Sequence, residues 1–105
     1  MILNFEHHEN PKSNSTPIIF IHGLFGSLSN LGMLARSYFE THDVIQVDVR
    51  NHGKSGHATD MNYAVMAQDL VETLDSLKIE KFSLVGHSMG GKIAMYLAQQ
   101  HPNRI

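Results

Sequence analysis

Residues 86–91 read Gly-His-Ser-Met-Gly-Gly and place one serine, Ser88, between glycines. The largely apolar residues 82–85 before it suit a β-strand, and residues 92–100 after it have the apolar periodicity of a helix. The glycines let a strand turn sharply into a helix, because side chains there would collide with neighbouring backbone. Such a turn exposes the hydroxyl and aims the helix N-terminus at it. Ser88 is therefore the candidate nucleophile, and the free Met89 amide is a candidate oxyanion donor.

The Gly-x-Ser-x-Gly spacing alone would also fit a serine that merely caps a helix. A second signal comes from residues 17–26, which read Pro-Ile-Ile-Phe-Ile-His-Gly-Leu-Phe-Gly and predict a buried strand running into a glycine loop. Ligands of open parallel sheets bind beside the carboxyl ends of the strands, where this loop follows its strand. The two signals together favour the nucleophile over the cap.

The composition limits the possible partners. The chain has 105 residues, 42% of them hydrophobic, which suits one domain at most with a single core. Its formal net charge is -2 without any basic cluster, so we expect small-molecule ligands and neither a nucleic-acid nor a membrane partner. The absence of cysteine excludes disulfides, thiolate zinc sites and a cysteine nucleophile.

The composition of residues 1–16 predicts no targeting signal there. Residues 1–16 are polar, unlike a signal peptide, and no apolar run approaches the length of a membrane span. A soluble cytoplasmic protein is therefore expected. His7 and His8 are potential metal ligands, but neighbouring residues of a strand point to opposite faces, so we predict no metal site and no cofactor.

The order of apolar patterns predicts an α/β fold with a mostly parallel sheet and helices on both faces. Strands are predicted at residues 2–7, 18–21, 44–47 and 82–85, and helices follow Asn30, Asn62 and Ser88. Apolar residues of the first helix extend to Phe39 with helical spacing. The second helix is expected to turn Met66, Ala67, Leu70, Leu74 and Leu77 inward and Gln68, Asp69, Glu72 and Asp75 toward solvent.

Residues 48–56 follow the second buried strand and contain several polar groups that chemistry could use. The favoured interpretation is structural: Asp48 and Arg50 form an ion pair that fixes a turn, and Gly53 adopts a positive φ. A catalytic role for this cluster is the alternative.

Three segments together resemble the α/β-hydrolase superfamily: residues 22–27, residues 48–55 and residues 86–92. The Arg-Asn-His-Gly sequence at residues 50–53 is similar, more narrowly, to a group of small bacterial carboxylesterases and acyl-coenzyme A thioesterases. The resemblance runs over about residues 18–105. It implies a small-molecule ester or acyl-coenzyme A substrate and an architectural role for the turn after the second parallel strand.

The same resemblance implies roles for individual residues. Ser88 would be the nucleophile, and the backbone amides of Leu24 and Met89 would form the oxyanion hole. His22 would brace the oxyanion loop, and Phe25 would lie near the acyl pocket.

The resemblance and the rule of right-handed crossovers also predict the order of strands in the sheet. Residues 18–21 are expected at the centre, between residues 44–47 and residues 82–85. The antiparallel N-terminal strand should lie outside residues 44–47.

The acid and the base of a catalytic triad are not found after Ser88. The superfamily orders its triad as serine, acid and histidine, yet no Asp or Glu follows Ser88 and the one histidine that does is His101. Thirteen helical residues would carry His101 roughly 20 Å from the serine. We therefore expect both groups beyond Ile105, with residues 1–105 as the N-terminal portion of an α/β-hydrolase domain.

Two other functions remain open. One is a carbon–carbon hydrolase or lyase on the same scaffold, which product analysis would separate from an esterase. The other is a catalytically incomplete, truncated product that binds without reacting. Relatives with an aspartate nucleophile are disfavoured because Ser88 occupies the turn.

Overall fold

A computed structural model describes residues 1–105, and four strands form one sheet. The strands are β1 (Phe5–His8), β2 (Ile18–Ile21), β3 (Val44–Val47) and β4 (Ser83–Gly86). Their order is β1-β3-β2-β4, with β1 antiparallel to β3 and both β3 and β4 parallel to β2. The predicted order is therefore confirmed, although β1 starts and β4 ends later in the chain than expected.

The central strand β2 separates two cores. Its side chains are all buried; Ile19 and Ile21 belong to the larger core, whereas Ile18 and Phe20 belong to the smaller one. Because successive side chains of a strand point to opposite faces, the two cores lie on opposite sides of the sheet. This is why β2 reads as a continuous apolar run.

Helices cover both cores. They are α1 (Gly32–Arg36), α2 (Tyr63–Ser76) and α3 (Met89–Gln100), with 3₁₀ turns at Leu28–Leu31 and Pro102–Arg104. Leu70 and Leu74 of α2 and Ile93 and Leu97 of α3 fill the larger core, and Ala35 of α1 lies in the smaller one. The predicted α/β class, with helices on both faces of a mostly parallel sheet, is therefore confirmed. No helix has both the length and the apolar character to cross a membrane.

The first helix differs from its prediction. Asn30 does not cap it; instead its side chain accepts from the Ser27 amide, and a 3₁₀ turn precedes the short helix α1. The helix ends at Arg36, and the Ser37 hydroxyl donates to the Leu34 carbonyl 2.6 Å away. Serine side chains compete with helical hydrogen bonds in this way, which explains why the apolar spacing up to Phe39 overestimated the helix.

Two predictions about charged residues are wrong. Asp69 was expected on the solvent face of α2, but it is buried, on the same side as Met66 and Leu70. Arg50 does not pair with Asp48; its guanidinium binds Asp69 through Nε and Nη2, at 2.7 and 2.9 Å. The long Arg50 side chain reaches across to α2, so the pair is set by packing rather than by the local turn.

Candidate active site

Ser88 lies where β4 turns into α3. Its backbone has φ 55° and ψ -115°, a conformation that L-residues rarely adopt, and its side chain is exposed. Helix α3 begins at the next residue, and the amides of Gly91 and Lys92 donate to the Ser88 carbonyl. The strained strand-to-helix turn predicted from the glycines is therefore present.

Close packing explains why glycines flank the serine. A Cβ on Gly86 would overlap the Gly90 carbonyl, and a Cβ on Gly90 would overlap the Ile21 carbonyl at the end of β2. These contacts are backbone to backbone and cannot be relieved by rotating a side chain. The first turn of α3 thus lies directly against the sheet, which brings Ser88 beside the loop that follows β2.

The hydroxyl shares a cleft with this loop. The cleft has a volume of about 460 Å³ and is lined by Gly23, Leu24, Phe25, Gly26, Asn30, Leu31, His87 and Ser88. Neither the Leu24 amide nor the Met89 amide donates a hydrogen bond within the chain. The Met89 amide is the first of α3, where helix donors have no partner of their own. The site therefore offers an exposed hydroxyl and two free backbone donors.

His22 fixes one of these donors. Its Nδ1 donates to the Gly23 carbonyl at 2.7 Å, and its Nε2 accepts from the Val49 amide at 3.1 Å. The Gly23 carbonyl and the Leu24 amide belong to the same trans peptide, so holding the carbonyl toward His22 turns the amide the other way. This geometry agrees with the expected bracing of the loop.

The protonation state of His22 follows from its surroundings. Burial lowers the pKa of His22, while the Gly23 carbonyl raises it by a smaller amount. Both ring nitrogens are satisfied by the neutral form alone, because one must donate to a carbonyl and the other must accept from an amide. His22 is therefore neutral at pH 7 and offers no free nitrogen as a base.

Asp48 holds the neighbouring turn together. Burial opposes its ionisation, but hydrogen bonds from the amides of Lys54 and Leu28 and from the Asn4 side chain keep the pKa of Asp48 below its usual value. Gly53 has φ 51°, as predicted, and a side chain there would overlap the Asp48 carboxylate. All of these donors come from within the fold, so the Asp48 carboxylate supports the turn.

The structure brings most of the expected site residues together. Leu24, Phe25 and Ser88 line one cleft, whereas the Met89 side chain lies in a second groove with Met61, Asn62, Tyr63 and Met66. No group of three or more histidine or carboxylate side chains is arranged to hold a metal ion. His52 belongs to the turn for which the sequence indicates a structural role, but the sequence does not predict that its Nε2 accepts a hydrogen bond from the Phe25 amide. The signal present at this position is the Arg-Asn-His-Gly sequence at residues 50–53.

These features define a member of the alpha/beta hydrolase fold family, whose model matches residues 16–105. The chain is 55% identical over 92 residues to Esterase YbfF of Escherichia coli (strain K12), covering 88% of this chain and 36% of that protein. It is 47% identical over 96 residues to the sn-1-specific diacylglycerol lipase ABHD11 of Danio rerio, covering 90% and 30% respectively.

A solved structure of a marine microorganism esterase is 41% identical, with a TM-score of 0.88, over 98% of this chain and 38% of that one. The chain thus spans about a third of the length of the curated relatives it matches.

Proposed function

We propose that this chain carries the nucleophile and the oxyanion hole of a serine hydrolase that acts on carboxylic esters or acyl thioesters. The observation that carries the proposal is the exposed, strained Ser88 beside two backbone amides without partners. An esterase and a diacylglycerol lipase among the relatives support carboxylic esters as the class of substrate.

The reaction would begin with attack of Ser88 Oγ on the carbonyl carbon. The negative charge that develops on the carbonyl oxygen is stabilised by the amides of Leu24 and Met89, because fixed donors need no reorganisation as the charge forms. The tetrahedral intermediate then expels the alcohol or thiol, which takes a proton, and leaves an acyl group on Ser88. Water hydrolyses this acyl group in a second attack through the same oxyanion hole.

The serine proton needs a base, and we place the acid and histidine of the triad beyond Ile105. His22 and His52 each use both ring nitrogens on backbone groups, and no carboxylate follows Ser88 in the sequence. A catalytically incomplete module is the second candidate function, and the same two observations favour it.

Labelling with a fluorophosphonate probe tests both candidates. The reagent should be applied to two proteins: the complete product of the reading frame, meaning the whole protein that the gene encodes, and residues 1–105 alone. Hydrolysis of p-nitrophenyl butyrate should be measured in parallel. Ser88→Ala should abolish labelling and turnover in the complete product, and the matched control Ser83→Ala, at an exposed serine of β4, should leave both unchanged.

Residues 1–105 should be nearly inactive, because loss of the base alone costs such enzymes on the order of 10⁶-fold in turnover. Labelling that persists in Ser88→Ala would contradict the hydrolase proposal. Absence of labelling in the complete product would favour the incomplete module. Ordinary esterase turnover by residues 1–105 would mean that His22, His52 or His87 supplies the base; of these, His87 lines the cleft beside Ser88.

A further inference from the structure

We infer that His52 is a positioning residue for the oxyanion hole, holding the Phe25 amide and being held in turn by Arg50 and the buried Asp69. This inference rests on the proposed function, because it concerns how the Leu24 amide is kept in place. It assigns a task to the Arg-Asn-His turn that goes beyond the stability of the turn itself.

The loop that needs to be held is a tight turn with an unfavourable residue in it. The Gly26 amide donates to the Gly23 carbonyl at 3.1 Å, so Leu24 and Phe25 are the two central residues. Phe25 has φ 63°, a conformation that glycine or asparagine usually adopts at the second central position. The Phe25 side chain is 91% exposed, so its packing contributes little to the turn. The backbone must be held by something else.

The Phe25 amide donates to Nε2 of His52 at 2.9 Å. The other ring nitrogen, Nδ1, lies 2.9 Å from the Arg50 carbonyl, which can only accept. His52 must therefore be the neutral tautomer with its proton on Nδ1, and the ring bridges two backbone segments. It is buried, with 9% of its surface exposed, and stands 5.2 Å from the ring of His22. Water has little access to replace either hydrogen bond.

The far end of this bridge is fixed by a buried ion pair. The Arg50 guanidinium binds the Asp69 carboxylate in a two-pronged arrangement, and its Nη1 donates to the Asp60 carbonyl at 2.9 Å. Asp69 also accepts from the Met1 amine at 2.8 Å. Because a bidentate pair restricts both position and orientation, the backbone carbonyl of Arg50 is held relative to α2.

Two histidines thus control two consecutive peptides of the oxyanion loop. His22 holds the peptide that joins Gly23 to Leu24, and His52 holds the peptide that joins Leu24 to Phe25. Without the second hydrogen bond, Phe25 can relax to a negative φ. Because Leu24 and Phe25 are the two central residues of one tight turn, we expect this relaxation to spread through the turn and displace the Leu24 amide relative to Ser88. Loss of the Leu24 donor would raise the energy of the transition state, because the negative charge on the carbonyl oxygen develops there.

Replacing His52 in the complete product of the reading frame tests the inference. His52→Leu removes both hydrogen bonds, and His52→Gln keeps an acceptor near the Nε2 position. With p-nitrophenyl butyrate, His52→Leu should lower kcat by about tenfold to a hundredfold with KM little changed, since small displacements of a catalytic group have effects of this size. His52→Gln should recover most of kcat. His57→Leu, at an exposed histidine of the same loop, is the matched control and should behave as the wild type.

A second background separates positioning from general stability. Glycine adopts a positive φ without support, so in Phe25→Gly the additional effect of His52→Leu on kcat should be much smaller than in the wild type. Equal effects in the two backgrounds would overturn the inference, as would a His52→Leu enzyme with wild-type kcat.

Hydrogen exchange at the Phe25 amide gives a readout that does not depend on the reaction. Exchange should accelerate in His52→Leu and not in His57→Leu, whether or not Ser88 is the nucleophile. Unchanged exchange would overturn the inference. Turnover that survives Ser88→Ala would instead defeat the proposed function, so the two failures are distinguishable.

Discussion

At Ser88, the backbone conformation of the exposed turn is unfavourable for a residue that has a Cβ. A residue with a Cβ at φ 55° and ψ -115° stores strain, and such strain persists only where the surrounding structure imposes it. Here it is imposed by the helix that must begin at the next residue and by the strand that ends two residues before. The same turn leaves Ser88 exposed, so under the proposed function stability is lost at the position of the nucleophile.

Replacing Ser88 with glycine should relieve this strain, and the free energy of unfolding should then exceed that of a variant that keeps the Cβ. Strain of this kind is of order 1–3 kcal/mol, and the greater freedom of glycine in the unfolded chain offsets about 0.5–1 kcal/mol of it. Ser88→Gly should therefore be about 1 kcal/mol more stable than Ser88→Ala, which keeps the Cβ, and both variants should lose turnover. Urea unfolding of the complete reading-frame product measures the difference. A glycine variant no more stable than the alanine variant would contradict the strain.

His22 should make stability depend on pH. Because burial lowers the pKa of His22 in the folded state, the unfolded chain binds a proton at higher pH than the folded chain does. The free energy of unfolding should fall as pH drops below about 6.5, the ordinary histidine value, and level off below the lowered pKa. The slope between them is at most about 1.4 kcal/mol per pH unit for one proton.

Chemical unfolding from pH 8 to pH 4 checks this prediction. The fall should be smaller in His22→Gln, which cannot titrate, and unchanged in His57→Gln, which removes an exposed histidine. Identical pH profiles for His22→Gln and the wild type would show that His22 does not contribute.

At the scale of elements, α2 does more than cover the sheet. Its apolar side chains fill the larger core, and among them it carries the carboxylate that binds Arg50. Asp69 has 1% of its side-chain surface exposed and Arg50 has 9%. The helix is therefore linked to the proposed oxyanion loop, residues 22–26, through Arg50 and His52 of the turn after β3.

Two aspartates of α2 offer a matched comparison. Asp69→Asn leaves Arg50 with the exposed Asp60, 3.3 Å from its Nη1, as its one remaining carboxylate partner, and should destabilise the protein by about 3–5 kcal/mol. Asp75 pairs with Arg104, but 59% of its side-chain surface is exposed, so Asp75→Asn should change stability by about 0–1 kcal/mol. Urea unfolding of both variants measures the two changes in the free energy of unfolding, which can then be compared. Similar small effects at both positions would mean that the buried pair contributes little.

At the scale of the whole molecule, the sheet has two edge strands, β1 and β4, of four residues each. β1 pairs only with β3, and β4, which is half exposed, pairs only with β2. Unpaired backbone groups along such a strand bind the edges of other sheets. The strand that carries the proposed nucleophile turn is thus also an edge strand with a free side for another chain.

Residues 1–105 alone should therefore self-associate through β4. Ser83→Lys places a charge on this edge and should reduce association, while Gln99→Lys adds the same charge at an exposed position of α3 and should not. Sedimentation velocity at several protein concentrations distinguishes the variants. A concentration-independent monomer in the unmodified chain would contradict the prediction.

Much of the fold could be predicted because its determinants are local. Three features each act over a few residues, so one segment of chain is enough to predict them: the apolar run of β2, the Asn62 cap of α2 and the glycines around Ser88. The turn at Gly53 follows the same logic, since only its own backbone and the nearby Asp48 decide it. The predicted length of the first helix was wrong, because the apolar spacing continued to Phe39 while Ser37 ended the helix early.

The amino-acid sequence by itself determined the α/β class and the serine turn, because apolar periodicity and glycine spacing specify them. The strand order followed from the rule of right-handed crossovers together with the resemblance to the hydrolase superfamily. Only the tertiary structure decided that Asp69 is buried, that Arg50 binds it rather than Asp48, and that His52 holds the Phe25 amide. These contacts join residues from separate elements, up to 27 positions apart in the chain. A hydrogen-bond partner at that distance depends on how elements pack, and no single segment carries that information.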